Sequence, residues 1–119
     1  MLREASGFDH IYIAAGYTDL RRGIDGLKAI IENTFRLDPY QNSLFLFCGK
    51  RSDRIKAFLW EGDGFLLLYK RIETGRIQWP RDASEVRELT DQQYRWLMEG
   101  LTVEQKKVIP QVPGFALKM

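Results

Sequence analysis

The stretch between Leu44 and Pro80 constrains the fold most, because apolar runs alternate there with short turn sequences. Three turn signals divide it, at Gly49–Asp53, Gly62-Asp63 and Thr74-Gly75. The runs between these turns are rich in Phe, Leu, Ile, Trp and Tyr, and apolar runs separated by turns that contain Gly or Asp indicate β-hairpins. The pattern predicts a four-strand antiparallel meander, and we expect this meander to carry the function.

The turns set the register of the predicted strands. With Gly62-Asp63 as the turn of the central hairpin, the facing pairs are Trp60 with Phe65, Phe58 with Leu67, Lys56 with Tyr69, and Arg54 with Arg71. With Thr74-Gly75 as the next turn, the facing pairs are Ile72 with Ile77, Arg71 with Gln78, and Lys70 with Trp79. Because side chains alternate between the two faces of a sheet, these registers assign each residue to one face.

The two predicted faces differ in composition. One is apolar except for Lys70 and is the expected seat of the first helix; it collects Ile55, Ala57, Leu59, Leu66, Leu68, Ile72, Ile77 and Trp79. The opposite face is divided along its length. Its apolar and aromatic half contains Phe45, Phe47, Phe58, Trp60, Phe65, Leu67 and Tyr69, and its basic half contains Arg54, Lys56, Arg71, Arg76 and Gln78.

A short strand and an amphipathic helix precede the meander. His10–Ala15 is typical of a strand, and Thr18 fits a helix N-cap with Asp19 in the first turn, where the helix dipole favours a carboxylate. Apolar residues then recur every three or four positions, at Leu20, Ile24, Leu27, Ile31 and Phe35. This spacing predicts one buried stripe on a helix of about four turns. Leu37-Asp38-Pro39 ends it, because proline disfavours a helical residue before it.

A second helix follows the meander and begins at Thr90 or Asp91, with Tyr94, Leu97, Met98 and Leu101 as its apolar stripe. We expect this stripe to cover the aromatic half of the second sheet face. The predicted fold class is α+β: a mainly antiparallel sheet, made of the four-strand meander and an N-terminal strand, packed against an amphipathic helix, with a C-terminal helix. The 119 residues suit a single domain. Its expected core covers about residues 8–101, and the tail from about 110 to 119 is expected to be loosely held.

Composition excludes several classes of protein. Hydrophobic residues make up 45% and charged residues 29%, which is typical of a globular domain and not of a disordered chain. No apolar run approaches the roughly 20 residues of a membrane span, and the N-terminal residues lack the apolar segment of a signal peptide. Cys48 is the single cysteine, which is typical of a reducing compartment. We therefore expect a soluble cytoplasmic protein, associated at most with the nucleoid.

Sequence motifs for catalysis or cofactor binding are missing. We interpret Cys48 as a buried core residue and the single histidine, His10, as a surface or edge residue. There is no zinc-ligand spacing, no Walker loop and no dinucleotide fingerprint, so we expect no cofactor, no metal and no enzyme. The carboxylates lie mostly at helix starts and turns, where they have capping and turn roles: Asp19, Asp25, Asp38, Asp53, Glu61 and Asp63. A metal-dependent nuclease is kept as an alternative, ranked third after the two non-enzymatic functions given at the end of this section.

Positive charge on the meander is the feature that points to a ligand. The net charge is only +2, yet Lys and Arg outnumber Asp and Glu between Lys50 and Arg81. Lys and Arg neutralise phosphates and aromatic rings stack on bases, so a basic sheet face can bind nucleic acid. The candidate contacts are Lys50, Arg51, Arg54, Lys56, Arg71 and Arg76. The alternative is a solvated basic rim; the aromatic residues are assigned to the core under the second helix.

Arg21 and Arg22 form a second basic spot, in the first turn of the first predicted helix. Cations oppose the helix dipole at that position. Together with the free N–H groups of a helix start, they could hold a phosphate or a carboxylate of a partner. Two solvated arginines without a ligand are the alternative.

A series of short motifs runs from Gly16 to Pro80. It opens with G-x-T-D-L-R-R-x-x-D-G-L at Gly16–Leu27. It continues with Leu37-Asp38-Pro39, Leu44-Phe45-x-Phe47, Gly49-Lys50-Arg51-x-Asp53-Arg54-Ile55-Lys56, Trp60-x-Gly62-x-Gly64-Phe65, Tyr69-Lys70-Arg71, Glu73-x-Gly75-Arg76 and Trp79-Pro80. Together these motifs resemble the TnpB accessory proteins of bacterial insertion sequences of the IS-sixty-six type, which are products of the element's second open reading frame.

The resemblance implies an accessory factor for transposition, with strand transfer assigned to a separate, larger transposase that has an acidic catalytic triad. The expected partners are the element DNA and the transposase of the same element; no membrane is expected, and an oligomer is compatible with the sequence. Our first hypothesis is a non-enzymatic factor that contacts the element DNA, or the transposase–DNA complex, through the basic face of the sheet. The alternative is a protein-interaction module that bridges transposase subunits without contacting DNA.

Overall fold

A computed structural model describes residues 1–81, 85–105 and 109 of the chain. The strands are β1 (His10–Ala14), β2 (Ser43–Cys48), β3 (Arg54–Trp60), β4 (Phe65–Arg71) and β5 (Val86–Leu89), and the helices are α1 (Ile24–Ala29), continued by a π-helical segment (Ile30–Thr34), and α2 (Asp91–Met98). The strands form one sheet in the order β4-β3-β2-β1-β5. β1 and β2 are parallel, and the other neighbours are antiparallel. This confirms the predicted α+β class.

The central hairpin has the predicted register. β3 and β4 pair from Arg54 with Arg71 to Trp60 with Phe65, and all four predicted pairs are among them. The turn closes with a bond from the Glu61 amide to the Gly64 carbonyl at 2.9 Å. Gly62 has a φ of +89°, a conformation that glycine adopts without steric cost.

The prediction of a fourth strand in the meander is wrong. Residues 72–80 form no strand and pair with no edge of β4; they cross the end of the sheet instead. Two bonds tie the crossing to the end of β1: the Trp79 indole donates to the Ala14 carbonyl at 2.9 Å, and the Gly16 amide donates to the Pro80 carbonyl at 2.9 Å. The next strand, β5, pairs with β1 at the opposite side of the sheet.

The alternation of Ile77 and Trp79 has a different cause from strand pairing. Both side chains are buried in the core cluster on the α2 side of the sheet. Apolar residues at alternate positions therefore bury one side of the crossing, in the same sequence pattern as one face of a strand.

The two helices cover the opposite faces from those predicted. Leu27 and Ile31, from α1 and its π-helical continuation, pack on the aromatic face with Phe45, Phe47 and Phe58. Tyr94 and Leu97 of α2 pack on the aliphatic face, with Ile55 and Ala57. Hairpin registers state which residues share a face, but they do not state which helix covers it. The helix that joins two parallel strands is placed by the hand of that crossover, which apolar patterning does not encode.

The first helix begins later than predicted. Thr18 caps no helix; its amide donates to the Cys48 carbonyl at 2.9 Å, which holds residue 18 beside the end of β2. α1 begins at Ile24, and Gly23 before it has an extended backbone conformation. The predicted apolar stripe nonetheless lies on one core cluster, on the aromatic face: Leu27 and Ile31 are buried in it, and Leu20, Ile24 and Phe35 pack against it. Leu20 does so from before the helix and Phe35 from just after its π-helical continuation.

The start of α2 is confirmed in detail. Thr90 is the N-cap, with the Gln93 amide donating to Thr90 Oγ1 at 3.1 Å and the Thr90 amide donating to Gln93 Oε1 at 2.9 Å. Of the predicted stripe, Tyr94 and Leu97 are buried, whereas Leu101 lies beyond the helix and is exposed. In the described residues, no helix is both long and apolar enough to cross a membrane. The tail that was expected to be loosely held lies outside the described residues.

Candidate nucleic-acid interface

Six of the predicted basic residues lie at one end of the sheet, where β2 ends, β3 begins and β4 ends. Three backbone bonds join the segments there: Gly49 to the Arg54 carbonyl at 3.0 Å, Ile72 to the Asp53 carbonyl at 2.6 Å, and Ile77 to the Ser52 carbonyl at 2.8 Å. We call this region the basic end; its members are Lys50, Arg51, Arg54, Lys56, Arg71 and Arg76. Strand pairing and loop anchoring therefore place residues from distant parts of the sequence next to one another.

Arg54 and Arg71 face each other directly across β3 and β4. Like charges in such a pair are destabilising, and each guanidinium has a nearby carboxylate. Arg54 Nε lies 3.9 Å from Asp53 Oδ1, and Arg71 Nη2 lies 2.8 Å from Glu73 Oε1. The arginine side chains are 45% and 57% exposed, so these ion pairs contribute only about 0–1 kcal/mol each. A phosphate could displace either carboxylate at small cost.

Lys56 and Tyr69 form the next pair along the same face. Lys56 Nζ lies 5.9 Å from the centre of the Tyr69 ring and donates a hydrogen bond to the Arg22 carbonyl at 3.1 Å. Tyr69 is 57% exposed. The prediction that Tyr69 lies under a helix with the other aromatic residues is therefore wrong: it stands among the cations with its ring open to solvent.

Tyr69 was not among the predicted contact residues, although the sequence held a signal for its position. The predicted register already placed Tyr69 opposite Lys56 and next to the Arg54–Arg71 pair. We predicted that Tyr69 is a core residue because it is aromatic, whereas its position along the strand places it at the basic end. The position was the better guide, because burial depends on what lies above a residue and not on its type alone.

The turn between β2 and β3 presents Lys50 and Arg51, both exposed. Ser52 has a φ of +59°, and its amide donates to the Gly49 carbonyl at 3.0 Å, which gives a tight turn. Arg76 reaches this turn from the crossing segment, since its Nη1 donates to the Arg51 carbonyl at 2.7 Å. Arg76 is thus part of the basic end through this contact and not through the strand position predicted for it.

Arg21 and Arg22 are not in the first turn of a helix, because α1 begins only at Ile24. Asp19 accepts hydrogen bonds from Arg21 Nε at 3.0 Å and Nη2 at 2.8 Å, and this contact lowers the pKa of the Asp19 carboxyl to about 2. The charge of Arg21 is therefore largely compensated within its own turn. Arg22 is exposed and lies next to Lys56 through its carbonyl, so it adjoins the basic end.

The residues considered for catalysis are not assembled into a site. Cys48 is fully buried, and burial raises the pKa of its thiol to about 12, which confirms a core role. His10 Nδ1 lies 2.8 Å from Glu88 Oε2 on the sheet surface. Among residues 1–81, 85–105 and 109, no three His, Cys, Asp or Glu side chains are grouped so that they could hold a metal ion.

Two similar proteins come from Sinorhizobium fredii (strain NBRC 101917 / NGR234). The uncharacterized protein y4jC is 32% identical over 91 residues, covering 76% of this chain and 78% of that protein. The uncharacterized protein y4hO is 30% identical over 91 residues, covering 76% of this chain and 79% of that protein. No solved structure matches the chain significantly.

The match to a family covers the whole sheet and the basic end. Residues 9–108 match the model of the family described as IS66 Orf2 like protein. This is the family that the motifs between Gly16 and Pro80 resemble, and it is not a known class of enzyme. The chain therefore belongs to the IS66 Orf2-like proteins, accessory proteins associated with the transposition of bacterial insertion sequences.

Proposed function

We propose that this protein is a non-enzymatic accessory factor that contacts the DNA of its insertion sequence through the basic end of the sheet. One observation carries the proposal: the Arg54–Arg71 pair stands exposed across two strands, with Lys56 and the open ring of Tyr69 beside it. The transposase of the same element is the expected partner and supplies the strand-transfer chemistry.

The positive charges of Arg54 and Arg71 are only weakly compensated within the folded protein, and phosphate groups would compensate them better. Two arginines placed opposite each other repel, and their neighbouring carboxylates are weakly held. Guanidinium groups bind phosphate oxygens through paired N–H donors, so two adjacent phosphates on one strand would relieve the repulsion. Binding of this kind positions a protein on DNA without reading its sequence.

Tyr69 adds a contact of another type. An exposed aromatic ring among cations can stack on a base or a sugar, as in proteins that bind single strands. The pair of Lys56 and Tyr69 therefore favours a DNA end or an opened duplex over a fully paired segment. Ends of this kind are where an element is cut and joined.

The test measures binding of a fluorescent terminal-repeat DNA by the purified protein, from roughly 50 to 200 mM salt. The variant R54E/R71E is compared with R3E/R95E, whose arginines are exposed and lie outside the basic end. Both variants change the net charge from +2 by the same amount, so they differ only in where the charge is lost. We expect R54E/R71E to lose binding and to reduce the slope of log affinity against log salt by about 2, because two phosphate contacts are removed.

The control variant R3E/R95E should bind nearly as the parent does. Equal loss in both variants would mean that net charge, and not the basic end, drives the association. Parental binding by a folded R54E/R71E variant would overturn the proposal.

The alternative function, a module that bridges transposase subunits without DNA contact, is favoured by one observation. Among the strands of the described residues, β4 has seven residues and lies at the edge of the sheet, with a neighbour on one side only. Pull-down of the transposase with and without nuclease treatment separates the two functions. A complex that survives nuclease treatment and is retained by R54E/R71E would favour the bridging module.

A further inference from the structure

The two edges of the sheet differ in how well they are protected from further strand pairing. β5 at one edge has four residues, whereas β4 at the other has seven, without proline, and stays in register with β3 over its whole length. Natural proteins usually protect such an edge with a bulge, a proline or an inward-pointing charge. In β4, the five residues Phe65–Tyr69 carry no charge.

The free hydrogen-bonding groups of β4 can be assigned from the hairpin. The bonds from Glu61 to the Gly64 carbonyl and from Ile72 to the Asp53 carbonyl show that even-numbered residues of this strand bond to β3. In an antiparallel ladder the bonded residues alternate, so the N–H and C=O groups of Phe65, Leu67, Tyr69 and Arg71 point away from β3. Among the described residues, none of these backbone groups has a bonding partner outside its own strand pair.

We infer that β4 pairs antiparallel with β4 of a second copy of this chain, on a two-fold axis through Leu67. Leu67 then faces Leu67 of the other copy, Phe65 faces Tyr69, and Leu66 faces Leu68. Asp63 in the turn faces Arg71. Each pairing joins like with like or opposite charges, which stabilises cross-strand pairs.

Registers shifted towards the basic end are less favourable. An axis through Leu68 places Arg71 opposite Phe65 and Lys70 opposite Leu66, and an axis through Tyr69 places Arg71 opposite Leu67. The reason lies in the charge distribution along the hairpin, whose turn carries Glu61 and Asp63 while its far end carries Lys70 and Arg71. A strand that is acidic at one end and basic at the other is complementary to itself only when it is antiparallel.

The inferred dimer goes beyond the proposed function and does not depend on it. The axis runs perpendicular to the sheet, so the aromatic faces of both copies lie on the same side. The two Arg71 residues are then about 27 Å apart along the strands, at about 3.4 Å for each residue. One dimer would present two basic ends on one surface.

The experiment is sedimentation of the purified full chain without DNA over a range of concentrations. We expect a species of twice the 13.9 kDa of one chain that dissociates on dilution. D63R alone and R71D alone place like charges opposite each other twice in each dimer, and we expect each to weaken the dimer about 10-fold. The charge swap D63R/R71D should restore it.

Rescue by the swap has no explanation within one chain, because residue 63 lies in the turn before β4 and residue 71 at the far end of that strand. A second measurement is amide hydrogen exchange. Protection of Phe65, Leu67 and Tyr69 should rise with protein concentration, while the amides of Leu66 and Leu68 are protected at all concentrations. A monomer at all concentrations, or a dimer that is indifferent to D63R, R71D and their combination, would overturn the inference. Since no DNA is present, neither result bears on the basic end.

Discussion

The two ends of the β3–β4 hairpin present the same sheet face in opposite ways. At the turn end, Trp60 and Phe65 lie with ring centres 4.9 Å apart, Tyr40 packs on both at 5.0 Å, and Lys28 of α1 lies 5.1 Å from the Tyr40 ring. At the basic end, Tyr69 stands open to solvent among Lys56, Arg54 and Arg71. The same two strands thus serve the core at one end and offer a surface at the other.

The extent of the helical cover accounts for this difference. The Arg22 carbonyl, just before α1, accepts the hydrogen bond from Lys56, so the cover begins level with Lys56. The Arg54–Arg71 pair lies two residues further along each strand and stays outside the helical cover. The start of α1, and not the strand composition, therefore separates the core from the candidate interface.

Substitutions at the packed turn end of the hairpin should change stability most. Phe58 is fully buried between Phe45 and Phe65, with ring centres at 6.1 and 4.9 Å. Phe58→Ala should lower the free energy of unfolding by about 3–5 kcal/mol, because it leaves a cavity in the core. Urea denaturation measures this. Tyr69→Ala on the same face should cost less than about 1 kcal/mol; equal losses would show that the basic end is also core.

A smaller loss of stability is expected in the crossing segment, residues 72–80, which contributes Arg76 to the basic end. Trp79→Phe keeps an aromatic ring but removes the indole N–H that bonds to the Ala14 carbonyl. A buried acceptor without its donor costs about 1–3 kcal/mol, and we expect a loss of stability in this range. Thermal unfolding monitors the change. If Trp79→Phe unfolds like the parent, this bond does not hold the crossing in place.

At the solvent-exposed basic end, substitution of Tyr69 should change DNA binding and not stability. Tyr69→Leu removes the ring but keeps an apolar side chain, so DNA affinity should fall by about 1 kcal/mol or more for each stacked base. Tyr69→Phe retains the ring and should bind as the parent does. Fluorescence anisotropy with single-stranded and duplex terminal-repeat DNA measures both. Equal loss in the two variants would indicate a role for the hydroxyl and would contradict stacking.

The smallest effect concerns Arg21, which borders the basic end. Its contact lowers the pKa of Asp19 from the usual 3.8 to about 2. A carboxyl with a lowered pKa stabilises the folded state above pH 4 and loses that contribution as the pH falls towards 2. Asp19→Asn should therefore lose less stability than the parent between pH 4 and pH 2 in thermal unfolding.

The companion variant for this pair is Arg21→Gln. The carboxyl titration of Asp19, followed by NMR, should move back towards the usual pKa, since Arg21 is the main cause of the shift. DNA affinity should stay close to the parental value because Asp19 already compensates Arg21. A marked loss of affinity would place Arg21 within the interface after all.

Local patterns predicted local structure well. The Gly62-Asp63 turn determined seven consecutive pairs of the central hairpin, and Thr90 determined the start of α2, because each depends on only a few neighbouring residues. The hairpin predicted at Thr74-Gly75 is absent. The apolar residues after it do alternate, but this alternation reflects the burial of Ile77 and Trp79 at the end of the sheet and not pairing with β4.

The class of fold, the register of the central hairpin and the cluster of cations were predictable from the sequence alone, since hydrophobic periodicity and turn chemistry act over a few residues. The tertiary fold decided which helix covers which face, because that depends on the hand of the crossover between β1 and β2. It also decided that the cover begins level with Lys56, and so left the ring of Tyr69 exposed beside the Arg54–Arg71 pair. Contacts of that kind join segments far apart in the chain, where local patterning has no influence.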